Sequence, residues 1–410
     1  MMRILTANFK SGIYLLSSNI IVSLAHFITS ILFTRIFTPE VYGQYTYIFS
    51  IIGTLSFFSL PGLNIAIMQA SSRKYKNILE KISLERLKYS FIVTFIFILL
   101  GIYMLATDKP TLFFLLIVSG FLAPFYYSFD GYASYLIGKR RFVEVSQYRV
   151  ISSLVNAILI LVFVLFITRN LAIIIAVNLL SVGLINFYYT NLLARKEKKE
   201  INSNKEMKEI CDVIKYGQKL SFINCVSTIE YYLDRLIIGS FLKFDTLAFY
   251  SIGKMVSDYT IKNVWQVVYQ IIFPDLGEVE FNEAKSRLLK KMIIIEVLFF
   301  GLCVGLALII PYLIKFVFSK RYIESAKYAQ IFIIFGILNI PGVMIETLFQ
   351  AQKREKAIYT LRIVTVLTHI LLLLILVWRW KIWGIVFASV ISYCIFYPIV
   401  SIYLLKNEKD

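Results

Sequence analysis

The sequence has 410 residues and a formal net charge of +18; 59% of its residues are apolar and 17% are charged, whereas an ordinary soluble domain carries about 25% charged residues. A bilayer-spanning helix needs about 20 mostly apolar residues, so the roughly 242 apolar residues suffice for about twelve spans with almost nothing left for a soluble core. This composition, with a mean hydropathy of +0.74, excludes a soluble enzyme, a disordered chain and a disulfide-stapled secreted module.

Apolar runs follow one another along the chain at lengths that can cross a bilayer. They predict twelve membrane-spanning helices, over residues 12–35, 41–69, 89–107, 111–136, 145–167, 171–194, 216–241, 247–273, 292–314, 328–350, 358–378 and 382–404. The longest polar segment, Arg195–Cys211, divides six of these helices from six. We therefore predict an all-α polytopic membrane protein with an N-terminal six-helix bundle over 1–198, a cytoplasmic linker over 199–213 and a C-terminal six-helix bundle over 214–410.

Basic residues predict the orientation of the chain, because cytoplasmic loops of membrane proteins collect Lys and Arg. With the N-terminus inside, 30 of the 43 Lys and Arg residues fall in inner segments and ten in outer ones. Both termini are therefore predicted to be cytoplasmic. The net charge of +18 is then mostly a consequence of topology, and it indicates contact with anionic lipid headgroups rather than a nucleic-acid partner.

The two halves show faint similarity. Because each half has six helices, both halves have the same orientation, as in a parallel repeat about an axis along the membrane normal. A short outer turn follows the first helix, at 35–48 (RIFTPEVYGQYTYI), and another follows the seventh, at 240–252 (SFLKFDTLAFYSI). The matching positions of these turns favour a duplicated architecture.

Two Pro-Gly pairs fall inside predicted spans. Pro61-Gly62 lies in the second helix and Pro341-Gly342 in the tenth. A proline inside a helix removes a backbone donor and clashes with the preceding turn, so each pair predicts a bend. The bend is either a static kink or a hinge that moves during transport.

Several charged residues lie within the predicted spans. A charge at mid-membrane costs about 2.5–3.5 kcal/mol on insertion scales, so these residues need partners or water. They are Asp130, Glu230, Asp234, Arg235, Lys254, Asp258, Lys262, Glu296 and Glu346. Glu296 is close enough to an inner end to reach headgroups. The others indicate a hydrated interior, which is typical of a transporter.

The seventh and eighth helices carry most of these charges. Glu230 and Asp234 are four residues apart and share one helix face, as do Lys254, Asp258 and Lys262 on the next helix. Asp234 and Lys254 are each about ten residues from the outer turn, or roughly 15 Å deep. We hypothesise an Asp234–Lys254 pair, with Glu230 facing Asp258. The alternative is an ion pair with a purely structural role.

Other chemistry-bearing residues give weaker indications. His26 and His369 are isolated in the sequence and are predicted to be hydrogen-bonded structural residues rather than proton relays. Four scattered cysteines and the lack of nucleotide-binding or hydrolase motifs predict no metal, no cofactor and no enzymatic activity. Transport would then draw on an ion gradient, with H+ or Na+ as the coupling ion, on the membrane potential or on substrate binding.

Several segments together resemble the polysaccharide-unit flippases of the Wzx or O-antigen type, within the superfamily that also holds MATE exporters and the lipid II flippase. The resemblance covers the whole chain in order. It is carried by TRIFTPEVYGQYTYI at 34–48, PGLNIAIMQASSRK at 61–74, LIGKRRF at 136–142, YYLDRLIIGSFLKFDTLAFYSIGKM at 231–255 and IIFPDL at 271–276.

The resemblance implies a V-shaped, MATE-like protein in the bacterial inner membrane, whose two bundles alternate between inward-open and outward-open states. It implies as cargo an undecaprenyl-diphosphate-linked oligosaccharide, which would enter between the first and eighth helices, and possible polymerase or chain-length partner proteins. Cationic residues would bind the diphosphate. The candidates are Arg235, Lys254, Lys262, Arg149 and Arg35.

Acidic residues within the spans outnumber basic ones, so other functions stay open. The acids are candidates for ion coupling or a charge network: Asp130, Glu230, Asp234, Asp258 and Glu346. A MATE-like drug or cation exporter would use such acids to bind its substrate. A membrane glycan polymerase or ligase is a further alternative, although the outer segment 315–327 is short for a catalytic loop and holds only one acid, Glu324.

Overall fold

The structure, a computed structural model, describes residues 2–73, 78–196, 204–277 and 279–407. Within these ranges the chain forms α-helices and no strand. The α-helices are α1 (Met2–Ile36), α2 (Pro39–Leu55), α3 (Leu63–Ser72), α4 (Ile78–Ala106), α5 (Pro110–Ser128), α6 (Tyr132–Gly138), α7 (Phe142–Val162), α8 (Leu171–Lys196), α9 (Asn204–Phe241), α10 (Phe244–Gly277), α11 (Phe281–Val317), α12 (Ser325–Gly336), α13 (Ile340–Ala351), α14 (Glu355–Ser389) and α15 (Tyr397–Asn407).

Short turns separate consecutive spans, and the local sequence explains where several helices begin. Pro39 opens α2 and Pro110 opens α5. Proline is favoured at the first helical position, because its missing N–H would have no partner there. Apolar side chains cover most faces of the long helices, as expected of helices surrounded by lipid.

Length and hydropathy identify the helices that can cross a membrane. Among the described residues, eight helical segments are long and apolar enough to cross. The number is nine if α2 and α3, which meet at 50°, form one broken span. The chain is therefore a polytopic all-α membrane protein, as predicted, but this test does not confirm twelve spans. Two of the missing spans are α9 and α10, the helices that hold the charged hairpin.

One of the eight segments is too long for a single crossing. Glu355–Asn407 has 53 residues, which at 1.5 Å per residue is about 80 Å of helix against a hydrocarbon core of about 30 Å. Lys381 interrupts it with a φ of 49°. The segment is therefore two crossings joined at Lys381, which agrees with the predicted spans 358–378 and 382–404.

Contacts divide the chain into two compact units. Unit 1 is Met1–Ile36 with Tyr47–Tyr232, and unit 2 is Phe37–Thr46 with Leu233–Asp410. This division is not the predicted division at 199–213, because α9 begins at Asn204 and contributes to both units. The boundaries of the two predicted six-helix bundles and their arrangement therefore stay predictions.

One hydrophobic core of unit 1 lies where α3, α4, α6 and α7 meet. Leu63, Ile67 and Ile82 are completely or almost completely buried there. Tyr132 and Tyr148 pack edge to face with their ring centroids 5.0 Å apart. Aromatic pairs of this geometry add to the stabilisation that burial provides.

Unit 2 includes the turn that follows α1. The hydroxyl of buried Tyr322 donates a hydrogen bond of 3.1 Å to the Phe37 carbonyl, and its ring packs edge-on against Tyr42 at 6.0 Å. Burial raises the pKa of the Tyr322 phenol, so it stays protonated and can donate. A Cβ on Gly43 would lie only 2.6 Å from the Phe244 carbonyl carbon, so this close approach requires glycine.

Both predicted bends coincide with interruptions of helical structure. A short 3-10 segment, Ser56–Ser59, ends at Leu60 with a φ of 57°, immediately before Pro61. A second 3-10 segment, Ile337–Asn339, precedes Pro341. The bend at Pro61 is therefore present, since α2 and α3 meet at 50°, whereas a bend at Pro341 and movement at either site stay predictions.

Candidate functional site

Asp234 is the centre of a polar cluster inside unit 2. Its side chain is buried and accepts hydrogen bonds from the Tyr250 hydroxyl at 2.5 Å and the Ser389 hydroxyl at 3.1 Å. The other carboxylate oxygen lies 3.3 Å from Nε2 of His369. Side chains from α10 and α14 thus place polar groups around one carboxylate of α9, which compensates for its removal from water.

Lys254 completes this cluster. Its ammonium lies 3.9 Å from an Asp234 carboxylate oxygen and 4.8 Å from the centroid of the Phe332 ring. The ion pair predicted between these two residues is therefore present. At 3.9 Å the pair is long, and Lys254 keeps about a quarter of its side chain exposed, so the ammonium can also reach a ligand.

The exposed part of Lys254 faces a cavity of about 340 Å³ that lies within unit 2. Asp258, Trp265 and Asn339 line the same cavity, and Ser389 connects it to Asp234. We call this the unit 2 cavity. Its volume is at the lower end of the range for small-molecule pockets, and its lining offers a cation, an acid, an amide and aromatic surface.

His369 is the residue of this cluster that sequence reasoning underrated. It is 1% exposed, and its other ring nitrogen lies 3.3 Å from the Tyr393 hydroxyl. It is hydrogen-bonded, as predicted, but it is not isolated, because a carboxylate and two hydroxyl groups surround it. The signal available was a histidine and a carboxylate both lying in apolar spans. His26, by contrast, has an exposed side chain on α1.

Glu346 belongs to a separate cluster in unit 2. Arg362 donates to one of its carboxylate oxygens at 3.0 Å, and the Tyr397 hydroxyl donates to the other. Gln350 adds a hydrogen bond of 3.1 Å. The structure therefore gives Glu346 a basic partner one helix away and does not bring it into contact with Asp234.

Unit 1 contains a buried arginine that the sequence placed in an inner loop. Arg86 lies in α4 and is 2% exposed. Its guanidinium donates to the Asp130 carbonyl at 2.9 Å and to the Leu60 carbonyl at 3.4 Å. These carbonyls lie where helices are interrupted, so Arg86 ties two broken spans together. The sequence signal that could have placed Arg86 within a helix was the run of helix-forming residues around it.

A cavity of about 350 Å³ adjoins Arg86 within unit 1. Asn64 and Asp130 contribute polar groups to its lining, and Tyr126 and Tyr232 contribute aromatic surface. The Asn64 amide lies close to the Asp130 side chain. We call this the unit 1 cavity.

The remaining candidate cations are distributed over both units. Arg149 donates to the Asn19 side chain at 3.3 Å and acts electrostatically on Asp130. Arg35 is exposed at the end of α1, and Arg235 is partly buried in unit 2. The side chain of Lys262 lies outside the described residues.

Two acids complete the predicted set. Asp258 lines the unit 2 cavity, whereas Glu230 is partly buried and belongs to unit 1. Their predicted approach to each other stays a prediction. In the part of the chain that the structure describes, no three His, Cys, Asp or Glu side chains cluster in a way that could hold a metal ion.

Comparison with known proteins agrees with this architecture. A Shigella dysenteriae protein named as an O-antigen transporter is 23% identical over 397 residues, which are 92% of this chain and 93% of that protein. The lipid II flippase MurJ, in an inward closed conformation, is structurally similar with a TM-score of 0.73 at 14% identity, over 96% of this chain and 88% of that one.

A multidrug resistance MATE family transporter of the MOP superfamily, in an inward-facing conformation, gives a TM-score of 0.65 at 14% identity over 96% of both chains. The fold is therefore that of the MATE and MurJ proteins, as the resemblance implied. The family model described as polysaccharide biosynthesis protein matches residues 32–327, most of the sequence. The chain is a multi-pass membrane protein that belongs to the polysaccharide biosynthesis protein family.

Proposed function

We propose that this protein is a flippase that moves undecaprenyl-diphosphate-linked oligosaccharide units from the cytoplasmic to the outer face of the bacterial inner membrane. The observation that carries the proposal is a polysaccharide biosynthesis family match on a chain made almost wholly of membrane helices. A chain of this kind serves polysaccharide assembly by moving cargo. The similarity to MurJ and to an O-antigen transporter supports the same function.

The diphosphate of the cargo requires cationic side chains that water can reach. Lys254 meets this requirement, because it lines the unit 2 cavity while Asp234 partly neutralises it. Arg235 and Lys262 lie on the same two helices, and Arg149 and Arg35, both in unit 1, stay separate candidates. Arginine can bind a phosphate with two parallel hydrogen bonds, whereas lysine acts as a point charge.

The energy source is proposed to be an ion gradient acting on the acidic residues. Asp234 is the acid through which ion binding could act on the cargo, since it pairs with Lys254, which lines the unit 2 cavity. A proton or Na+ that changed the charge balance there would alter the hold of Asp234 on Lys254. Alternating access would follow from the competition of cargo and Asp234 for that ammonium.

The experiment that tests this function is a deletion strain of the source bacterium. Lipid-linked repeat units are expected to accumulate on the cytoplasmic face and surface polysaccharide to disappear, and a plasmid-borne copy should restore both. Intact surface polysaccharide in the deletion strain would contradict the proposal. Drug sensitivity with normal polysaccharide would instead indicate a MATE-like exporter.

A further inference from the structure

The unit 1 cavity lies where two interrupted helices meet. The Ser56–Ser59 segment interrupts the second span, and Phe129–Gly131 separates α5 from α6. Backbone that is not helical at membrane depth is tolerated where protein or a water-filled cavity surrounds it, and interrupted helices often mark substrate sites in transporters. Arg86 joins both interruptions through their carbonyl groups.

Some of the polar groups in this cavity lack partners. In the described residues neither Nε of Arg86 nor Oδ1 of Asn64 has a hydrogen-bond partner, although both atoms are buried. Leaving such groups unpaired is costly, and each one in a native protein needs an explanation. An unpaired donor and an unpaired acceptor, both on residues that line the same cavity, indicate a ligand that can donate and accept.

The lining fits a sugar better than other ligands. Arg86 donates, the Asp130 carboxylate accepts and the Asn64 amide does both, which matches hydroxyl groups that each donate and accept. Tyr126 and Tyr232 offer aromatic faces on which the C–H face of a sugar ring can pack. A diphosphate would meet the Asp130 carboxylate, and a metal cation would meet the Arg86 guanidinium, so like charges disfavour both.

The position and size of the cavity agree with this assignment. Arg86 is eight residues into α4, or about 12 Å from the helix start, at the end predicted to be cytoplasmic. Cargo would therefore meet this cavity on the side from which it is loaded. A volume of about 350 Å³ is close to the lower limit of roughly 300 Å³ for ligand pockets, which suits one sugar residue and not a whole oligosaccharide.

We propose that the unit 1 cavity binds one sugar residue of the lipid-linked cargo, with Arg86, Asn64 and Asp130 as its polar contacts and Tyr126 and Tyr232 as its faces. This inference rests on the proposed function, because the sugar is taken to arrive on the lipid-linked cargo. The sequence made Asp130 a candidate for ion coupling. This inference assigns it to cargo selection instead.

The test compares the binding of two lipids to the purified full-length protein. One is the lipid-linked repeat unit extracted from the deletion strain, and the other is undecaprenyl diphosphate without sugar. Wild type should bind the glycosylated lipid more tightly. Asp130→Asn should weaken that binding about tenfold, since one charge-assisted hydrogen bond is lost, and Tyr126→Ala about fivefold. Binding of the sugar-free lipid should change less than about twofold in both variants.

Asp108→Asn is the matched control, because Asp108 is exposed between α4 and α5 and lines none of the described cavities. It should leave binding of both lipids unchanged. Normal glycosylated-lipid binding in both cavity variants, or an equal loss for the two lipids, would overturn the sugar site. If no glycosylated lipid accumulates in the deletion strain, or if wild type binds neither lipid, the proposed function itself fails.

Discussion

At the scale of single residues, the polar cluster around Asp234 explains how a carboxylate persists inside a membrane protein. Removing one partner from a buried ion pair is strongly destabilising when the other charge is left without compensation. Asp234 is protected against this loss, because it has hydroxyl partners in Tyr250 and Ser389 and a second nitrogen partner in His369. Lys254 is therefore the member that can leave the cluster with the least cost to folding.

This reasoning predicts the behaviour of Lys254→Met. The variant should reach the membrane at a normal level, because Asp234 keeps three other polar neighbours. It should restore surface polysaccharide to the deletion strain at less than about a tenth of the wild-type rate, since one charge-assisted contact to the diphosphate is lost. Quantitative surface-polysaccharide staining against membrane protein level provides the measurement.

Lys327→Met is a suitable control, since Lys327 is exposed at the start of α12. It removes the same charge and should restore polysaccharide fully. If Lys254→Met also restores it fully, Lys254 does not contact the diphosphate. A Lys254→Met protein that fails to accumulate would show instead that the Asp234 cluster needs all of its members for folding.

The pairing of Asp234 with Lys254 could be predicted from the sequence, because the two residues lie on adjacent helices of one hairpin at equal distances from its turn. Sequence reasoning did not find the partnership of His369 with Asp234, since those residues are 135 positions apart and no local pattern indicates which distant helices touch. Arg86 was missed for another reason. A basic residue at the inner edge of an apolar run looks like a topology signal, and only packing shows that it is buried.

At the scale of helices, the interruption at Pro61 depends on the residue after it. The backbone N–H of Gly62 receives a partner from α9, the Ser221 hydroxyl at 2.9 Å. A Cβ on Gly62 would lie 2.6 Å from the Ser221 backbone nitrogen, and thus against main chain that cannot rotate away. The bend is therefore a packed feature of unit 1, held by glycine as much as by proline.

Gly62→Ala should consequently destabilise the protein. The added methyl group requires a shift of backbone in a closely packed region, which costs about 1–3 kcal/mol, and the thermal unfolding midpoint in detergent should fall by several degrees. Gly301→Ala is the matched control, because nothing lies within 4 Å of a Cβ at Gly301 in α11. There alanine should be neutral or stabilising, by up to about 1 kcal/mol. An unchanged midpoint in Gly62→Ala would show that the contact with α9 can relax.

At the scale of the whole molecule, composition and hydropathy were enough to predict an all-α membrane protein, because lipid imposes long apolar helices. Composition and hydropathy do not determine the number of spans equally well. Charges lower the hydropathy of α9 and α10, and the segment Glu355–Asn407 has no polar break apart from Arg379 and Lys381. That each half forms a bundle of six helices stays a prediction, and contacts assign Phe37–Thr46 to unit 2. Similarity between the sequences of the two halves indicates the order of helices in each half. Which segments contact each other depends on packing, which that similarity does not show.

The predicted orientation of the molecule can be tested with a cysteine that the chain already has. Cys211 is exposed in α9, next to the polar segment that the distribution of Lys and Arg places in the cytoplasm. Asp108, exposed between α4 and α5, is predicted to face outward. A membrane-impermeant maleimide should therefore label Cys211 in inverted vesicles but not in intact cells. An Asp108→Cys variant, made in a Cys211→Ser background, should give the reverse result. Labelling of Cys211 in intact cells would show that the orientation is the opposite of the predicted one. The unit 1 cavity would then lie at the wrong end of the protein for loading cargo from the cytoplasm.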